Sequence, residues 1–408
     1  MRLEFSAFRS RNYRLFVAGQ SLSMIGHAMQ QVALGWIVFS WTGSTYWLGL
    51  VAFAGQAPFL VTTPLAGALT DRYDKRRLLM GAQALGLASA LALAILSISG
   101  SGNAWTITLV ALVAGIAVSI EVPTRQALLV DLVEDKAHLH NAIAFYSLMF
   151  NVGRMLGPVA AGALIAYSGA WTCFAVNTAA YLALIAAMSL IKPPAAVRQP
   201  PPAGILRSLA QALAYVRERE ILWALIALTA VASFAFMPYV ALMPAVVGTD
   251  HAAAPETLGL LLGAAGFGAV LGNLFLAAGG APRLLPRRIA LATCASGIAL
   301  LAFSFVPVLG VRLLLMAILG WGYTVAMSAC NIALQVVVRE DQRGRVAAIY
   351  IMALLGLPPL GALAAGILAQ HAGTALTLAT GGLFGALAGL WLLAGSQRHA
   401  RAIDTATA

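Results

Sequence analysis

Residues 346–397 read VAAIYIMALLGLPPLGALAAGILAQHAGTALTLATGGLFGALAGLWLLAGSQ, a run without a single Asp, Glu, Lys or Arg. It is long enough for about two membrane spans of ~20 residues each, and it breaks once, at QHAG (370–373). Three more charge-free runs have the same character: 15–70, 78–120 and 155–191. They break at SWTGSTY (40–46), SISGSGNA (97–104) and YSGA (167–170). Shorter apolar runs cover roughly 221–247, 257–280, 289–307 and 313–337. The expected count is twelve transmembrane helices. A transmembrane barrel would need ~10-residue segments alternating apolar and polar, and that pattern is absent. The fold class is therefore all-α and integral to the membrane.

Composition agrees with this assignment. Only 10% of residues are charged and 61% are hydrophobic, with a mean hydropathy of +0.87, whereas soluble chains carry roughly 25% charged residues. The net charge of +11 follows from topology and calls for no nucleic acid. Basic clusters precede span 1 (Arg9, Arg11, Arg14) and follow span 2 (Arg72, Lys75, Arg76, Arg77), and others fill 192–219 and flank the later spans. With alternating spans these clusters share one side, which makes both termini and the central loop cytoplasmic. The apolar stretch behind the basic N-terminal flank is too long for a signal peptide, so span 1 is expected to be retained. Cys173, Cys294 and Cys330 lie in separate spans with no metal or redox spacing and read as packing residues. No cofactor or metal is expected: His138 and His140 share a loop with Asp131, Glu134 and Asp135, for which a solvated loop is the simpler reading.

The chain repeats itself. AGALIAYSG (161–169) and AGILAQHAG (365–373) match at an offset of 204, which places Gly157, Gly162 and Gly169 on Gly361, Gly366 and Gly373. ALLVDLVED (127–135) resembles ALQVVVRED (333–341), and LGL occurs at both 48–50 and 258–260. Six spans per copy make a parallel repeat, a class of transporter architecture whose site lies near the bilayer midplane. The expected division is an N-terminal six-helix half over 1–191, a cytoplasmic linker over 192–219 that begins with the proline-rich KPPAAVRQPPPAG, and a C-terminal half over 220–408.

GALTDRYDKRR (67–77) and GRMLGPVAAG (153–162) resemble the loop signature and the span 5 motif of the major facilitator superfamily. The flow from FRSRNYRLFVAGQSLSMIG through PTRQALL and NAIAFYSLMFNVGRMLGP is similar to its bacterial multidrug, macrolide and siderophore exporter branch, which includes the enterobactin exporter. The resemblance spans nearly the whole chain and implies a secondary active transporter in the bacterial inner membrane, working as a monomer on a small-molecule substrate within the lipid bilayer, with protons as the coupling partner. It implies a cytoplasmic latch at Gly67, Asp71, Arg72 and Arg76. Helix electrostatics point the same way, because a helix N-terminus such as that of span 11 near Gly344 attracts a carboxylate like that of Asp71. Arg72 or Arg76 is expected to pair with Glu121 or Asp131. Asp74 stands where the signature usually has Gly, Ala161 replaces a Gly of the span 5 motif, and His27 stands where many relatives carry an acid.

Polar residues at membrane depth form the candidate site. If span 5 enters the hydrocarbon near Ala144, Arg154 lies ten residues deeper, about 15 Å at the helical rise. That position costs roughly 2.5 to 3.5 kcal/mol unless the side chain faces protein or water. Two readings stay open: Arg154 attracts anionic or polar substrate atoms, or it holds spans 4 and 5 together, with Glu121 as a partner that Arg125 reaches more easily. His27 and Glu121 are the coupling candidates. Gln30, Gln31, Asn151, Asn177, Asn273 and Asn331 are candidates for the cavity lining, joined by Tyr239 and the apolar Trp36, Phe234, Phe236 and Met243. Gly153, Gly157, Pro158 and Gly162 read as packing and kink positions of span 5. The expected function is export of amphipathic small molecules. A facilitative or lipid-handling carrier of the same fold is the alternative, and a membrane enzyme or scaffold is disfavoured because no nucleophile triad, metal set or Walker motif is present.

Overall fold

The computed structural model describes residues 10–60, 62, 73–132, 139–191, 205–248, 254–279 and 281–407. Among these the chain is helical with no strand, and eleven helical stretches are long and apolar enough to cross a membrane. The first group is α1 (Arg11–Thr42), α2 (Thr45–Gln56), α3 (Lys75–Ser99), α4 (Ala104–Leu132), α5 (Leu139–Ser168) and α6 (Trp171–Leu190). The second group is α7 (Ile205–Arg217), α8 (Glu220–Phe236), α9 (Pro238–Gly248), α10 (Pro255–Ala277), α11 (Leu285–Phe303), α12 (Leu309–Val337), α13 (Arg343–Ala372) and α14 (Thr374–Thr407). α8 and α9 together form one span, Glu220–Gly248, broken at Met237 just before Pro238. The expected second span is described only in its first part, so the count of twelve rests on residues partly outside the description.

The loop residues read from the sequence end these helices for a backbone reason. Gly169 and Gly373, matched by the repeat, both take positive φ (92° and 82°), a conformation open to glycine at little cost, and each stands at the end of a long helix. Asp74, where the loop signature usually has Gly, is the N-cap of α3 and accepts a 2.8 Å hydrogen bond from the Arg77 amide.

Two compact units emerge. One comprises Met1–Thr42, Ala54–Pro202 and Ala252–Gly259. Its core at one end of the bundle packs Tyr13 and Phe16 of α1 against Leu79 of α3, Leu128 of α4, and Leu184 and Met188 of α6, and the Tyr13 hydroxyl donates to the Ala142 carbonyl at 3.1 Å. The other unit comprises Gly43–Phe53, Ala203–His251 and Leu260–Ala408. There α11 and α14 approach closely through Gly297 and Gly382, and a Cβ at Gly382 would stand 2.7 Å from the Gly297 carbonyl oxygen. Cys294 and Cys330 are buried in this unit and Cys173 in the first, all as free thiols.

Each unit contains a short piece of chain from the other half of the repeat, seated on a small-residue crossing. In the second unit Gly49 of α2 meets Gly366 of α13, where an added Cβ on Gly49 would lie 2.6 Å from the Ala362 carbonyl oxygen and 2.9 Å from the Gly366 Cα. In the first unit Gly259 of α10 meets Gly162 of α5, where a Cβ on Gly259 would lie 2.5 Å from the Pro158 carbonyl oxygen and 3.0 Å from the Gly162 Cα. Pro158 and Ala362 correspond at the repeat offset, as do Gly162 and Gly366, so the two crossings are copies of one another. The α2 crossing carries an additional polar clasp. Gln370 Oε1 accepts from Ser44 Oγ at 2.9 Å, Thr45 Oγ1 at 3.3 Å and the Tyr46 amide at 3.4 Å.

The segment read as linker contains α7, whose Ala212 and Val216 are wholly buried while Gln211, Leu213 and Ala214 are exposed. It is an amphipathic helix within the second unit, and its period was legible in ILRSLAQALAYVR.

Candidate functional site

Charge is buried at one place among the described spans of the first unit. Arg125 Nη1 donates to Glu121 Oε1 at 2.6 Å, one helical turn apart on α4, with side chains only 10% and 6% exposed. The spacing places both on one helix face, and the geometry is the charge-assisted kind. Tyr146 of α5 lies beside the pair, the Arg125 guanidinium standing 5.6 Å from its ring centre, while Arg125 Nε has no hydrogen-bond partner. The His27 ring nitrogen Nε2 is 3.4 Å from the Gln31 amide nitrogen, which is its donor when that ring nitrogen is unprotonated.

Deeper between α1 and α6 a second polar contact is fully enclosed. Asn177 Nδ2 donates to Gln30 Oε1 at 2.8 Å, and Gly26 makes the room, since a Cβ there would meet Asn177 Oδ1 at 2.8 Å. Asn177 Oδ1 itself has no hydrogen-bond partner. Gln20 of α1 and Gln83 of α3 are also buried, their amide atoms likewise unmet. These two were missed in the sequence, where a glutamine inside an apolar run was the available signal.

Arg154 does not join the buried pair. It is half-buried on α5, its guanidinium 5.9 Å from the Phe150 ring centre one turn away, and Glu121 is bonded to Arg125 instead. The turn-spaced partner wins because it lies on the same helix and needs no stretching of two long side chains. Asn151 turns back on its own helix, donating to the Ser147 carbonyl at 2.7 Å. Two of the span 5 glycines face α1, while Gly162 faces α10: a Cβ at Gly157 would stand 2.5 Å from Ala28 Cβ, and one at Gly153 would stand 3.4 Å from Met24 Cβ.

In the second unit Asn331 accepts from Gln335 Nε2 at 3.1 Å, and both line a small recess with Arg343 and Tyr350. Tyr239 is buried and Asn273 is half-buried on α10. Phe236 and Met243 are wholly enclosed, Phe236 against Tyr323 at 6.3 Å between ring centres, so neither is open to a ligand, whereas Phe234 is 42% exposed.

Around the loop after span 2, Gly67, Asp71 and Arg72 lie outside the described residues, as do 192–204 and most of the histidine-bearing loop after α4. Arg76 is described, and it caps the end of α6: Nε donates to the Met188 carbonyl at 2.9 Å and Nη2 to the Ser189 carbonyl at 2.8 Å. Asp131 is taken by Lys75 at 2.6 Å. Glu121 thus has Arg125 as its partner and Asp131 has Lys75, while Arg76 bonds to the end of α6; the pairing expected of Arg72 lies outside the described residues.

Comparison with known proteins agrees with a membrane-spanning helix bundle. The chain is 28% identical to the multidrug efflux pump Tap of Mycolicibacterium fortuitum, covering 85% of this chain and 87% of the relative. It is 26% identical to the staphyloferrin A transporter of Staphylococcus aureus, covering 91% and 92%. The crystal structure of a bacterial homologue of the iron transporter ferroportin shares the fold, with a TM-score of 0.74 at 13% identity over 96% of this chain and 98% of that one. Residues 3–407 match the family described as transmembrane secretion effector, and the chain belongs to that family of major facilitator transporters, multi-pass membrane proteins that move small molecules and are not enzymes.

Proposed function

We propose that this protein is a secondary exporter of amphipathic small molecules, drug-like or siderophore-like, that drives them out across the cytoplasmic membrane by proton antiport with alternating access. The observation that carries the reading is the Glu121–Arg125 pair, enclosed among apolar spans. A buried ion pair is costly to desolvate and gains its place when one partner is exchanged during function. Glu121 can give up Arg125 for a proton, and Arg125, once released, attracts electronegative substrate atoms. Proton and substrate then compete for one state of the pair, which is the simplest thermodynamic route to antiport.

Arg154, half-buried and stacked on Phe150, supplies a second positive centre suited to anionic substrates. His27, Gln30, Gln31, Asn151 and Asn177 of the first half, with Tyr239, Asn273 and Asn331 of the second, supply the polar contacts. The names of Tap and of the staphyloferrin A transporter support this range of substrates. Both termini and the 192–219 segment lie on the cytoplasmic side in this reading, and the transporter works as a monomer.

The test is accumulation of labelled drugs and siderophores in everted membrane vesicles, with and without an imposed pH gradient. Gradient-dependent accumulation that collapses with a protonophore is expected. Accumulation that persists unchanged without the gradient overturns antiport in favour of a facilitative carrier.

A further inference from the structure

Far along the sequence from the buried pair, the second unit contains a recess of ≈340 Å³ where α8 begins, α12 ends and α14 passes. Ile221 and Val337 form its apolar wall, and Arg219, Glu220, Arg398 and His399 contribute its polar atoms. Glu220 Oε1 is 3.4 Å from Arg398 Nη1 and 3.7 Å from His399 Nε2. Among the lining residues Glu220 is the one carboxylate beside Arg219, Arg398 and His399, so the recess is net positive. His399 is 5% exposed, and neither of its ring nitrogens has a hydrogen-bond partner. A buried imidazole left in that state is costly, whereas an acceptor entering the recess would satisfy it.

The position of the recess narrows what that acceptor is. Arg219 immediately precedes the apolar span Glu220–Gly248, and Arg398 lies near the end of the span carried by α14, so the mouth opens at a membrane–water boundary. Beside it Arg217 stands over the Trp223 ring at 5.8 Å, and Trp223 is 42% exposed. Along α14, Leu387 and Trp391 are exposed too, at 51% and 54%. Basic pockets between helices at such a boundary, edged by tryptophan, are suited to lipid headgroups.

We propose that this recess binds the phosphate of an anionic phospholipid. The phosphate oxygens accept from Arg219, Arg398 and a His399 N–H, while the acyl chains run along the exposed apolar residues of α8 and α14. None of these residues belongs to the Glu121–Arg125 site, so the proposal stands whatever the transported substrate proves to be.

The test is native mass spectrometry of the full chain in a non-ionic detergent, titrated with phosphatidylglycerol, phosphatidylethanolamine or inorganic phosphate. Phosphatidylglycerol should bind about tenfold more tightly than phosphatidylethanolamine, and inorganic phosphate should compete only weakly. R219Q/R398Q should lower phosphatidylglycerol affinity by about an order of magnitude, and His399→Gln by several-fold. R283Q/R287Q, which removes exposed charge elsewhere, should leave it unchanged. If the double variant folds poorly, Arg398→Gln alone gives the reading, because that side chain is 73% exposed. Equal binding of the two lipids, undiminished binding in R219Q/R398Q, or an equal loss in R283Q/R287Q overturns the proposal. Inorganic phosphate that fully displaces the lipid identifies a free-phosphate site and overturns the lipid assignment.

Discussion

Glu121 has one partner on its own helix, Arg125 at 2.6 Å, and that single bond sets what each substitution nearby does. Arg125→Ala leaves a carboxylate buried without its counter-charge, a loss of roughly 3 to 5 kcal/mol for an enclosed pair, and is expected to impair folding. Glu121→Gln keeps the shape and a hydrogen-bond acceptor but cannot exchange a proton. It should bind substrate with weakened pH dependence and lose gradient-driven export, as measured by substrate binding across pH and by vesicle transport. His27→Gln should abolish coupling only if the imidazole takes the proton. Full pH-driven export by both variants would remove these residues from the coupling scheme. Arg154 is a different case, since it stacks on Phe150 and is half-buried. Arg154→Ala should raise the dissociation constant of an anionic substrate about tenfold, the loss of one charge-assisted bond of ~1.5 kcal/mol, while a neutral substrate changes little. An equal loss for both substrates in an equilibrium binding titration would reassign Arg154 to structure.

Among the helices, the Gly49–Gly366 and Gly162–Gly259 crossings bring backbones into contact that no side chain at those positions would permit. Gly366→Leu would drive a side chain into the Thr45 carbonyl oxygen, which a Cβ alone would approach to 2.7 Å. Overpacking of this kind costs about 1 to 3 kcal/mol. The variant should unpack α2 from α13, raise the accessibility of a cysteine placed at Tyr46 to a water-soluble maleimide, and slow transport. Unchanged labelling and transport would show that the crossing tolerates separation. Gly162 and Gly366 were legible because the repeat copies them at an offset of 204, Gly49 and Gly259 because LGL recurs at 48–50 and 258–260, and the loops because Gly169 and Gly373 match. What the spacing did not disclose is which helix each glycine meets, since a small-xxx-small stripe permits close approach by any neighbour.

For the whole molecule, the distribution of bases gives a checkable orientation. Single cysteines at 67–77 and 192–219 should react only after the membrane is permeabilised, and those at 97–104 and 248–255 should react in intact cells. External labelling of 192–219 in intact cells would invert the topology.

The amino-acid sequence by itself determined the class of this protein. Charge-free runs of more than forty residues have no stable place in water, hydrocarbon admits only helices or closed barrels, and the period rules out the barrel. The repeat, the helix ends and, apart from Gln20 and Gln83, the polar residues within the apolar runs were legible in the same one-dimensional record, because each depends on local composition or on copying along the chain. Tertiary structure alone decided the pairings. Glu121 chose Arg125 over Arg154, Asp131 took Lys75, Arg76 turned to the last carbonyls of α6, and Phe236 and Met243 became core. In an apolar solvent a polar side chain bonds to whatever partner the packing of backbones brings within about 3 Å, and that packing is set by contacts between residues hundreds of positions apart. The recess at His399 is the extreme case, assembled from residues 219–221, 337, 398, 399 and 402, which nothing in the linear order connects.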